Sequence, residues 1–114
     1  MAMIDGPQIL SDEEIENGLQ LRLRVPADLS YFEGHFPEHP VLPGVVQLRW
    51  VDALARQFKL ISGEFVRIEK LKFMRIMSKD YEVQLDLTVP KENTLQFQYS
   101  SERGIHASGK MIFK

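Results

Sequence analysis

An α+β fold, with one long helix against an antiparallel sheet of five or six strands, is predicted by three features of this chain of 114 residues. One amphipathic segment of helical period runs from Val45 to about Leu60, alternating period-two segments lie on both sides of it, and no repeat, linker or low-complexity stretch interrupts the series.

The first elements are strands. Gln8 to Ile15 is short and mixed, and Asn17-Gly18 follows it; both of these residues tolerate positive φ, which makes the pair a strong hairpin signal. Leu19, Leu21, Leu23 and Val25 then alternate with Gln20, Arg22 and Arg24, the pattern of a half-buried strand, and Pro26 ends it. Ser11-Asp12-Glu13-Glu14 also fits a capping box, but few residues remain for a helix before Gly18. In the helical segment Arg49, Asp52, Arg56 and Lys59 form a polar stripe opposite Leu48, Val51, Leu54, Ala55 and Phe58. This spacing predicts Arg49–Asp52 and Asp52–Arg56 ion pairs. Gln47 lies on the apolar side and needs partners if buried. Trp50 is expected at the helix or dimer surface, and Gly63 closes the segment.

Four strands follow. In Phe65 to Met77 the apolar residues change parity near Glu69-Lys70, which predicts a bulge. Tyr81 to Val89, Leu95 to Tyr99 and Ile105 to Phe113 alternate more simply, joined by turns at Lys91 to Asn93 and Glu102 to Gly104. His106 alternates out of phase with its apolar neighbours and is expected at the surface. One helix cannot cover both faces of such a sheet, so a two-fold dimer is expected to bury the remainder.

Composition narrows the function. The length suits a single domain spanning residues 1–114, which on its own buries about two-thirds of its unfolded surface. A net charge of −2 with 14 scattered basic residues gives no footprint for nucleic acid. There is no cysteine, which excludes disulfides, a thiol nucleophile and thiolate zinc sites. Met1 to Gly6 lacks the features of a signal peptide and no apolar run is long enough to cross a membrane, so a cytoplasmic location is expected. No phosphate loop or dinucleotide fingerprint is present, and no cofactor is expected.

The most informative stretch is Tyr31-Phe32-Glu33-Gly34-His35-Phe36-Pro37-Glu38-His39-Pro40-Val41-Leu42-Pro43-Gly44-Val45-Val46. Three prolines keep it from becoming helix, with His35 at its entrance. At its exit, a helix starting at Gly44 presents unpaired N–H groups to which a carbonyl oxygen can dock. His35 and His39 cannot converge on a metal as helical i,i+4 ligands, because Pro37 and Pro40 deny them a helix, and no metal site is expected.

Gly34-His35-Phe36-Pro37 with Pro40-Val41-Leu42-Pro43-Gly44-Val45 resembles, without gaps, the signature of the 3-hydroxyacyl-acyl-carrier-protein dehydratases of the hot-dog fold. The resemblance extends more loosely over nearly all the chain. It implies a sheet wrapped around the central helix, chains paired edge to edge in a homodimer or higher oligomer, and the histidine of one subunit near helix residues of the other. It also implies a substrate carried on the phosphopantetheine arm of an acyl carrier protein. One position departs: the family carries an acidic residue on the helix where this chain has Arg49.

Dehydration of a 3-hydroxyacyl thioester needs a base for the C2 proton, a donor to the departing hydroxyl and polarisation of the thioester carbonyl. His35, with an unperturbed pKa of about 6.5, suits the first role. The resemblance places the amide of Gly44, or of Val45, in the third. Arg49 cannot act as a general acid near neutral pH. Three explanations remain open: His35 serves both proton transfers with Arg49 orienting water or the leaving oxygen; Asp52, Glu33 or Glu38 supplies the carboxyl; or catalysis has been lost. An apolar acyl tunnel is expected from Phe32, Phe36, Val41, Leu42 and Leu48, and Phe36, Val41, Leu42, Pro43 and Val45 are the expected substrate-binding residues. The leading expectation is a dehydratase of fatty-acid or polyene-type acyl biosynthesis. The alternatives are an acyl-binding subunit that partners an active dehydratase, and a hot-dog thioesterase.

Overall fold

A computed structural model describes residues 5–32 and 40–114. Strands β1 (Gln8–Ile15) and β2 (Gly18–Arg24) are followed by a 3₁₀ turn at Ser30–Phe32 and by helix α1 (Gly44–Gln57). Strands β3 (Phe65–Phe73), β4 (Glu82–Lys91), β5 (Thr94–Ser101) and β6 (Gly104–Phe113) complete one antiparallel sheet in the order β1-β2-β4-β5-β6-β3. This is the hot-dog arrangement of one long helix and six strands.

The hairpin between β1 and β2 turns at Asn17, whose φ of 59° is the left-handed conformation that Asn tolerates. Gly18 beside it is required by contact: an added Cβ would lie 1.9 Å from the Leu87 carbonyl oxygen on β4. The inward residues Leu21, Leu23, Val83, Leu85, Leu87, Leu95, Phe97 and Tyr99 meet Val46, Trp50, Val51, Leu54 and Ala55 of α1 in one core. The helix therefore exists as an amphipathic rod because the sheet buries one of its sides.

Trp50 is not at a surface. It is 1% exposed, and its indole Nε1 donates to the Asp5 carbonyl at 3.1 Å, so the ring pins the segment before β1 over the helix. The Asp5 carboxylate in turn accepts from the Ser30 hydroxyl and amide, which hold it below the usual carboxylate range.

The parity switch in β3 is a bulge: its register with β6 shifts between Glu69 and Lys72, and Lys70 takes a φ of 54°. A second bulge was not foreseen. Tyr99 pairs with Ala107 but Ser100 pairs with Ile105, so His106 is an extra residue in β6. The phase of the strand changes there, and His106 is turned inward and 0% exposed, while Ile105 faces out. The expectation of a surface histidine is corrected by that inserted residue.

Strand β3 is one edge of the sheet, opposite β1, and Phe65, Val66, Leu71 and Phe73 on it are exposed, as are Met74 and Ile76 just beyond.

Candidate functional site

The site is built around the start of α1. Pro43 stands at the N-cap with φ −59° and ψ 145° and provides no side-chain cap. Its carbonyl accepts the amides of Val46 at 3.0 Å and Gln47 at 3.1 Å. The amides of Gly44 and Val45 precede these first bonds, and the first turn has no acidic residue to neutralise the positive end of the helix. Gly44 lies under the ring of Phe73 from β3, and a Cβ there would come within 2.7 Å of its Cζ. Val45 is 63% exposed.

The approach to the helix is held by residues 76–78, which have left the sheet. The Leu42 amide donates to the Met77 carbonyl at 2.7 Å, and the Ser78 hydroxyl donates to the Pro40 carbonyl. Leu42 and Met77 are both buried, whereas Val41 is exposed.

Gln47, 4% exposed, donates through Nε2 to the Leu42 carbonyl at 3.2 Å. Its own backbone carbonyl accepts from the Tyr99 hydroxyl at 2.7 Å. Burial pushes the Tyr99 phenol well above its ordinary pKa, so it remains a donor. The Oε1 of Gln47 is buried without a partner among the described residues, an arrangement that costs about 1–3 kcal/mol until something donates to it.

Arg49 projects from the exposed side of α1 and donates to the Tyr31 hydroxyl at 3.2 Å. Of the two predicted ion pairs, Asp52–Arg56 forms at 3.1 Å, and no Arg49–Asp52 pair is present among the described residues. Arg49 is thus turned toward the 3₁₀ turn that leads into residues 33–39. His35 and Phe36, together with Glu33, Glu38 and His39, lie outside the described residues. Of the expected tunnel residues, Phe32 and Leu42 are buried and Leu48 is half-buried against the core.

The structure places Leu42, Pro43, Gly44 and Val45 at the start of the helix, and Arg49 further along it against Tyr31. Gln47 is buried and hydrogen-bonded as its place on the apolar side required, and the structure adds Tyr99, Phe73, Met77 and Ser78, whose parts sequence reasoning did not assign. Phe73 and Met77 approach through the bulged β3 and the segment after it, a long-range placement with no local signal. A recess of about 670 Å³ lined by Arg22, Tyr81, Glu82, Ser101 and Arg103 opens at the turn between β5 and β6, and it is polar where an acyl chain requires apolar walls. No helix among the described residues is long and apolar enough to cross a membrane.

Comparison with known proteins places this geometry in context. Residues 11–110 match the family described as ApeI-like, ApeI dehydratase. The 3-hydroxyacyl-acyl-carrier-protein dehydratase FabZ of Magnetococcus marinus is 29% identical over 101 residues; the match covers 75% of this chain and 64% of that protein, so the chain spans somewhat less than two thirds of that relative. In the ApeI:P dehydratase heterocomplex of Xenorhabdus doucetiae, a chain 28% identical superposes with a TM-score of 0.82, covering 93% of this chain and 96% of the other. An uncharacterised protein of Erwinia carotovora subsp. atroseptica is 30% identical with a TM-score of 0.81, with 95% of each chain covered.

Proposed function

The chain belongs to the ApeI-like dehydratase family, and from that premise we propose that it removes water from 3-hydroxyacyl thioesters carried on an acyl carrier protein, giving trans-2-enoyl thioesters in fatty-acid or polyene-type acyl biosynthesis. The observation that carries this reading is the start of α1, where Pro43 provides no side-chain cap and, among the described residues, the amides of Gly44 and Val45 have no hydrogen-bond acceptor.

In this reading the amide of Gly44 or Val45 donates to the thioester oxygen as negative charge develops on it. One preorganised donor of this kind is worth about 3–4 kcal/mol of barrier. His35 takes the C2 proton and returns it to the departing C3 hydroxyl, so that C2=C3 forms as the C3–O bond breaks and water leaves. Arg49, permanently charged, orients the leaving oxygen rather than protonating it. Asp52 is a weaker candidate for the acid because its carboxylate is already engaged by Arg56. Phe36, Val41, Leu42, Pro43 and Val45 line the acyl path. No cofactor is required, since the electrons of the broken C2–H bond form the alkene.

We assign the apolar edge of β3 to a homodimer in which that strand pairs with its copy. Val66→Lys places a charge on this edge and is expected to convert the dimer to monomer in light scattering; an unchanged mass would remove β3 from the interface.

Incubating the protein with a 3-hydroxyacyl-carrier substrate and following the product by mass tests the activity. Loss of water supports the proposal, and thiol release without enoyl product points instead to a thioesterase. A second reading, in which the chain is a weakened subunit that binds acyl chains beside an active dehydratase, is favoured by Arg49 at the acidic position and by the heterocomplex of the similar Xenorhabdus protein. Arg49→Glu separates the two. A tenfold or larger gain in rate, about 1.4 kcal/mol of barrier, is expected if the acid is missing, and a fall if Arg49 has taken over its place.

A further inference from the structure

His106 is bound to three consecutive residues of one segment. Its backbone carbonyl accepts the amides of Met74 at 2.8 Å and Arg75 at 3.2 Å, and its ring Nδ1 lies 2.9 Å from the Ile76 carbonyl oxygen. A carbonyl can only accept, so Nδ1 carries the proton. In the neutral ring the other nitrogen, Nε2, accepts from the Ser101 hydroxyl at 2.6 Å, while the Ser101 Oγ accepts the Arg103 amide at 3.1 Å. Every polar atom of this fully buried ring is used, in one tautomer.

The segment gripped in this way is the one that holds the approach to α1. One peptide beyond Ile76, the Met77 carbonyl accepts the Leu42 amide at 2.7 Å, and the next residue, Ser78, reaches the Pro40 carbonyl. The Leu42 carbonyl in turn accepts Nε2 of Gln47. Two hydrogen bonds and one peptide therefore connect the His106 ring to the residue two positions before Gly44. The outer side of the segment is unsupported in the protomer, since Met74 and Ile76 are exposed.

We infer that His106 is a positioning residue for the site at the start of α1: its Nδ1–H fixes the Ile76 carbonyl, and through Met77 and Leu42 it sets where the Gly44 and Val45 amides point. This inference rests on the proposed use of those amides in dehydration. Misplacement of such donors by about 1 Å can cost as much as 100-fold in rate. The loss belongs in kcat rather than KM, because the oxygen carries full charge only in the transition state.

Two variants and two readouts test it. His106→Phe keeps an aromatic ring but has no donor for Ile76. His106→Asn can place its amide N–H where Nδ1–H was. In His106→Phe the hydrogen exchange of the Leu42 amide is expected to rise about tenfold or more, with amides in the β4–β5 pairing unchanged, and kcat to fall about tenfold or more with KM altered by less than about threefold. His106→Asn is expected to recover most of both. Unchanged Leu42 exchange and kcat in His106→Phe, or uniform loosening that His106→Asn does not rescue, would overturn the inference. If the wild type does not dehydrate at all, the proposed function falls, and the Leu42 exchange still decides whether His106 governs this approach.

Discussion

Alanine in place of His35 is expected to lower dehydration by about 100- to 10,000-fold, the usual contribution of a positioned general base. The C2 proton of a thioester is weakly acidic, and among the described residues of the helix neither Asp52, held by Arg56, nor Arg49, permanently charged, is disposed to take it. The wild-type kcat/KM should fall on the acid side of its pH profile, as protonation removes the base. The residual rate of the variant should show no such fall. Enoyl thioester formation measures both, and circular dichroism checks that the variant is folded. Retained activity, or an unchanged pH profile, would remove His35 from the mechanism.

Trp50→Ala should be the most damaging core substitution, costing about 3–5 kcal/mol. The indole fills the space between α1 and the segment before β1, and its loss also leaves the Asp5 carbonyl without its donor. Against a total stability of about 5–15 kcal/mol, this is a large fraction. A fall in Tm of more than about 10 °C is expected by calorimetry. Trp50→Phe should recover part of it by restoring volume without the hydrogen bond. A small shift for Trp50→Ala would mean that the ring is not part of the core.

The two substitutions differ in how well the sequence announced them. The three-proline loop and Gly44 mark the site because φ restriction and helix termini are local properties. The hairpin at Asn17-Gly18, the amphipathic face of α1 and the bulge at Glu69 to Lys72 were legible for the same reason. Trp50 was not, because a tryptophan beside a polar stripe can face a partner or a core, and its actual neighbour, Asp5, is 45 positions away. His106 was misplaced because a period-two reading carries its phase through a strand, and one inserted residue reverses it. Arg49 was expected to pair with Asp52 along the helix, but it reaches Tyr31, which only the return of the chain brings near.

The strand order also governs when the protein can form. Among the described strands β3 pairs only with β6, so it has no strand partner until residues 104–113 have left the ribosome. A nascent chain that has just completed α1 and β3 carries Phe65, Val66 and Leu71 on a strand with no sheet neighbour to pair with. Assembly is therefore decided late and by contacts distant in sequence, a topology that folds slowly and exposes its intermediates to aggregation. Overproduction at low temperature, where synthesis slows and apolar association weakens, should accordingly give a higher soluble yield than at 37 °C.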